Sequence, residues 1–115
     1  MRRTVIQTLQ RSRLGLTVLF LGALPALAAD LSVSQKNKTF SVPSLSVQVG
    51  DTVHFKNFDD VTHNITVKGG GSDDDTDDLG LQKPGVEVSH RFDAKGRYRV
   101  VCSIHPRMRM TVNVQ

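Results

Sequence analysis

The stretch Gly96-Arg97-Tyr98-Arg99-Val100-Val101-Cys102-Ser103-Ile104-His105-Pro106-Arg107-Met108-Arg109-Met110-Thr111-Val112-Asn113-Val114 reads as a strand, a short loop and a strand. Tyr98, Val100 and Cys102 fall on one face at period two, as a half-buried strand requires. Met110, Val112 and Val114 repeat that spacing and close the chain. Between the strands, Cys102, His105 and Met108 follow one another at intervals of three. A thiolate, an imidazole and a thioether form a soft donor set that suits copper far better than magnesium or calcium. Pro106 fixes its own φ and limits the conformations open to the loop.

Working outward, the same alternation recurs. Leu31 and Val33 alternate with Ser32 and Ser34, Phe40 and Val42 with Thr39 and Ser41, and Leu45, Val47 and Val49 with Ser46 and Gln48. Val53 and Phe55 point inward from Thr52 to Lys56, Asn57 to Asp60 reads as a turn, and Thr62 to Val67 is a further strand. Val86 and Val88 lead, after a phase slip, to Phe92, and Asp93 to Gly96 turns the chain. The pattern predicts an all-β Greek-key sandwich of about seven to eight short strands, with no helix of ordinary length. One segment departs from it. Gly69-Gly70-Gly71-Ser72-Asp73-Asp74-Asp75-Thr76-Asp77-Asp78 offers no apolar surface and is expected to be a mobile, solvated loop. Its spacing lacks the turn glycine of an EF-hand, although the aspartates could face calcium or a basic partner.

The N-terminus belongs to a different object. Arg2, Arg3, Arg11 and Arg13, the apolar run Leu14 to Leu24 and the small-x-small Ala26-Leu27-Ala28 form a secretory signal peptide over residues 1–28. That run is shorter than the roughly 20 residues needed to span a bilayer, so stable membrane insertion is not expected. Arg2-Arg3 also permits twin-arginine export. The leader holds four of the 15 Lys+Arg, leaving 11 against 11 Asp+Glu in the domain 29–115. The basic balance of the whole chain is therefore no argument for nucleic-acid binding. A single cysteine in an exported chain cannot form an internal disulfide, and an unpaired thiol in an oxidising compartment calls for an occupant such as a metal.

Three donors on one loop leave room for a fourth from elsewhere, and the candidates are His54, His63 and His90. His54 lies between inward-facing Val53 and Phe55 and so faces out. His90 stands in the polar run Ser89-His90-Arg91 and reads as surface. His63 opens a strand just after a turn, where a side chain reaches one pole of a sandwich. His63 is the choice.

Gly50-Asp51-Thr52-Val53-His54-Phe55-Lys56-Asn57, then His63-Asn64, then Gly96 through Met108 together resemble the cupredoxins, with a Cys-x-x-His-Pro-x-Met loop like that of the amicyanin and plastocyanin-like branch. The resemblance covers essentially all of residues 29–115. It implies one type 1 copper ion with His63, Cys102 and His105 as trigonal ligands and Met108 as a weak axial one, with Met110 the runner-up. It also implies that the Asn64 N–H points at the Cys102 sulfur and that its side chain ties to Ser103. Ile104 stands where amicyanin-like loops often carry proline, and Arg107 where an aromatic is common.

The function expected from this is an exported, periplasmic, monomeric carrier of single electrons, with redox partner proteins docking near His105 and Arg107. The alternative is a periplasmic protein for copper delivery or storage; a metal-free module sits poorly with an intact donor set. Four donors fill the coordination sphere and leave no open position for a substrate, which argues against an enzyme. Cys102 and His105 share one loop, unlike a catalytic dyad assembled from distant segments.

Overall fold

The computed structural model describes residues 14–22, 27–70 and 75–115. The basic start of the leader, Pro25 and Ala26 of its cleavage pattern, and Asp73 and Asp74 of the acidic run lie outside the described residues.

Nine strands form two sheets. β1 (Asp30–Lys36), β2 (Thr39–Phe40), β4 (Thr52–Asn57) and β7 (Glu87–Arg91) make one, in the order β2-β1-β4-β7. β3 (Ser44–Val47), β5 (His63–Gly69), β6 (Thr76–Gln82), β8 (Gly96–Val101) and β9 (Arg109–Val114) make the other, in the order β3-β9-β8-β5-β6. β1 runs parallel to β4 and β3 to β9, whereas the remaining pairs are antiparallel. The inward residues read from the sequence meet across the ladders: Val67 faces Val100, Val100 faces Met110, and Tyr98 faces Val112. With Val33, Phe40, Val53, Phe55 and Phe92 they form one buried core. Phe92 packs edge-on to Tyr98, and a side chain at Gly70 would overlap the Tyr98 ring, so the β5–β6 hairpin closes on that tyrosine only with glycine there.

Two expectations need correction. There are nine strands rather than seven to eight, because β6 (Thr76–Gln82) carries no apolar alternation that announces it. The acidic run is also not a loop throughout. Thr76, Asp77 and Asp78 pair with Lys68, Val67 and Thr66 at the start of β6. An edge strand is hydrogen-bonded on one side only and can carry charge on both faces, and charge there discourages edge-to-edge association.

The core changes character toward one pole. Gln35, Asn57, Asp59, His63 and Gln82 are all buried there. Asn57 closes β4 rather than opening a turn: its Nδ2 donates to the carbonyls of Val61 (2.8 Å) and Gln82 (2.9 Å), and its Oδ1 accepts the Asp59 N–H (2.9 Å). That side chain shapes the segment leading into His63.

Candidate metal centre

His63 opens β5 with its ring fully buried, as its strand-start position predicts. Cys102 follows β8 and is also fully buried. The loop between β8 and β9 is closed by the Cys102 N–H on the Met108 carbonyl (3.0 Å) and the Met108 N–H on the His105 carbonyl (2.8 Å). These bonds fold His105 back toward Cys102, so that His63, Cys102 and His105 converge. Their donor atoms form a triangle: Nδ1 to Nδ1 is 3.0 Å, and the Cys102 sulfur stands 3.8 Å from each nitrogen. A point about 2.1 Å from all three donors follows from those sides, and metal–imidazole and metal–thiolate bonds run roughly 2.0–2.3 Å. The residues therefore fit a metal ion.

Met108 is buried at the end of the loop, and Met110, two residues on, is buried in the core. The other histidines are elsewhere. His54 lies on the outer face of β4, bonded to Asp30 (2.9 Å) and near Glu87 (3.6 Å). His90 is less exposed than a surface reading implies: its ring packs on Phe92, with Nδ1 3.3 Å from Asp77.

Asn64 braces the two segments. Its backbone N–H points at the Cys102 sulfur (3.4 Å), and its Oδ1 accepts from the Ser103 N–H (2.6 Å) and hydroxyl (2.9 Å). A donor aimed at sulfur stabilises the thiolate. Opposite Asn64, a β-bulge places Leu79 and Gly80 against Ile65, bringing Asp78 Oδ1 within 3.3 Å of Asn64 Nδ2.

One residue of the site escaped the sequence reading. Asp59 Oδ2 lies 2.6 Å from His63 Nε2, and both side chains are buried. The pairing assigns the ring proton to Nε2 and leaves the Nδ1 lone pair facing Cys102 and His105. The same carboxylate accepts the backbone N–H groups of Asn37 (2.5 Å) and Lys38 (2.8 Å), both in the left-handed region at φ 52° and 56°. Burial alone would raise the Asp59 pKa, but the bonds from His63 and from the Lys38 and Asn37 amides outweigh it and hold the carboxyl below its usual value. An Asn-x-Asp turn four residues before a histidine was the available signal.

The profile of the copper binding proteins of the plastocyanin/azurin family matches residues 27–115. The chain belongs to that family. A methylamine utilization protein, MauL, of Methylorubrum extorquens is 32% identical over 92 residues, covering 80% of this chain and 79% of its own. A reduced amicyanin variant is 29% identical with a TM-score of 0.67, over 75% of this chain and 82% of its own. A purple cupredoxin from Nitrosopumilus maritimus is 28% identical with a TM-score of 0.63, over 76% of this chain and 99% of its own. The all-β sandwich is thus a cupredoxin, and two imidazoles, a thiolate and a nearby thioether fit a single type 1 copper ion.

Proposed function

We propose that this cupredoxin is an exported carrier of single electrons, with His63, Cys102 and His105 as the strong copper ligands and Met108 as the weak axial one. Bound copper supplies the one-electron Cu(II)/Cu(I) couple. The chain's own part is to fix the donors so that little rearrangement accompanies the change of oxidation state. Asn64 holds the loop through Ser103 and donates to sulfur, and Asp59 fixes the His63 ring. The observation that carries the reading is the convergence of His63, Cys102 and His105 at 3.0 and 3.8 Å, with Met108 buried at the end of the same loop.

His105 is half-buried and is flanked by exposed Ile104, Pro106 and Arg107. That exposure supports docking of redox partners at this pole, with His105 as the electron exit. Residues 1–28 act as the export signal to the periplasm, and the domain 29–115 works there as a monomer.

Copper loading followed by a visible spectrum tests the reading. Strong thiolate-to-Cu(II) absorption is expected, absent in Cys102→Ala. Met108→Leu should keep the colour and raise the potential. A colourless Cu(II) form removes the type 1 assignment, and loss of copper from Met108→Leu removes the axial role. Because similar proteins are named for methylamine utilization, a methylamine-oxidising donor belongs in the electron-transfer assay.

A further inference from the structure

The outer faces of the two sheets differ in how they carry charge. On the four-stranded sheet, His54 bridges Asp30 and Glu87, and Lys56 is paired in register with Glu87. On the outer face of the five-stranded sheet the exposed cations are Lys68 on β5, Arg97 and Arg99 on β8, and Arg109 on β9, against one exposed acid, Asp78 on β6. Register sets Lys68 directly opposite Arg99, with Arg97 two residues along on the same face. Like charges directly opposed across strands are destabilising. Among the described residues none of these four cations has a carboxylate within 4.0 Å. The one acid in their rows, Asp78 opposite Thr66, is engaged by Asn64 Nδ2 and the Gly80 N–H. The domain has as many acids as bases, so net charge does not force this segregation.

The face also has a position. A depression of about 260 Å³ runs from Lys68 and Arg99 to Cys102, Ser103 and Pro106, joining the cations to the ligand loop. It lies on the other side of Pro106 from the hollow lined by Lys38, Ile104 and Arg107.

We propose that the basic face of β5, β8 and β9 is a docking surface for an acidic protein redox partner whose edge rests on the 102–106 loop; this rests on the electron-carrier reading above. Complementary charge would steer the partner to the depression that Cys102, Ser103 and Pro106 line, and would relieve the repulsion between Lys68 and Arg99. Ser44, Ser46, Thr111 and Asn113 beside them are small and polar, Val101 is half-buried, and Leu81 at the β6 edge is exposed. The face gives a nucleic acid no aromatic to stack on, and a bilayer only the single exposed Leu81 to take up.

Two measurements on the full-length processed protein test this. In the first, amide shifts are followed by NMR as a short polyglutamate peptide is added. Shifts on β5, β8 and β9 that vanish in Lys68→Gln/Arg99→Gln are expected. Shifts confined to the neighbourhood of Lys38 and Arg107 overturn the proposal, and so do vesicles of phosphatidylglycerol that move the β5–β8 residues when the peptide does not. In the second, ferricyanide takes one electron from the Cu(I) protein and becomes ferrocyanide. The double variant should slow this by roughly tenfold at low salt, with the difference fading as salt rises. Lys56→Gln on the opposite sheet is the control, and equal rates for it and the double variant overturn the proposal. The peptide titration needs no copper, so a failure of the copper reading and a failure of the basic face are seen separately. Thermal unfolding gives an independent check: removing opposed cations should leave the double variant at least as stable as the parent.

Discussion

The two histidines that face each other across the site live under opposite conditions. His63 is fully buried at the head of a strand, and its outer nitrogen is bound to a buried carboxylate. His105 sits half-exposed on a loop between Ile104, 46% exposed, and Pro106. One half of the site is therefore built into the core and holds geometry, and the other half reaches the surface. Rigidity and access are assigned to different segments of chain, so each can change without the other.

The largest expected effect comes from loosening the built-in half. Asp59→Asn replaces a carboxylate that receives three donors with an amide that cannot accept all of them. Unfolding in denaturant should show a loss of about 1–3 kcal/mol, and copper affinity should fall roughly 10–100-fold with a shifted potential. An unchanged potential and affinity would reduce Asp59 to a structural role and erase the contrast between the two histidines.

Asp51 offers a sharper form of the comparison. It is a second buried carboxylate that accepts two backbone amides, those of Ala29 and Gln48 at 2.8 Å each, but it touches no ligand. Those amides, Ala29's first, hold its pKa below the usual value against the opposing pull of burial. A carboxyl depressed in the folded state stabilises it above the unfolded pKa of about 3.9 and loses that contribution as pH falls through the folded value. Asp51→Asn should therefore be less stable than the parent near neutral pH, with the gap narrowing as the pH is lowered into the acid range. Its visible spectrum and potential should match the parent's. A spectral change would mean that the carboxylates are not separable in function.

The smallest effect on stability is expected at the open half. Arg107→Glu, exposed beside His105, should change stability by no more than about 0.5 kcal/mol. Its signature is kinetic: a change in partner on-rate and in its salt dependence, read by stopped flow. If neither moves, docking at this pole does not use Arg107.

Much of this was legible in the sequence for a definable reason. Alternation revealed the inward faces of β4, β8 and β9 because each has one buried face. Cys102, His105 and Met108 were legible because their spacing is local, and His63 because a strand start points at a pole. β6 was not, since an edge strand does not need apolar residues and Asp77 and Asp78 argue for solvent. Asp59 was not, since its partners lie 21 and 22 residues upstream on a left-handed turn as well as four residues on. The basic face was hidden for the same reason: Lys68, Arg97, Arg99 and Arg109 become neighbours only through strand register.

The hydrogen bonds from Asn37 and Lys38 to Asp59 also bear on whether such a centre can be transplanted. The segment from Cys102 to Met108 is contiguous and closed by its own backbone bonds, so it can be copied into another sandwich as a cassette. The His63 half cannot. Its orientation is shared among the β1–β2 turn, the end of β4 and the start of β5, and a recipient scaffold would have to reproduce all three before the borrowed loop met a properly aimed imidazole.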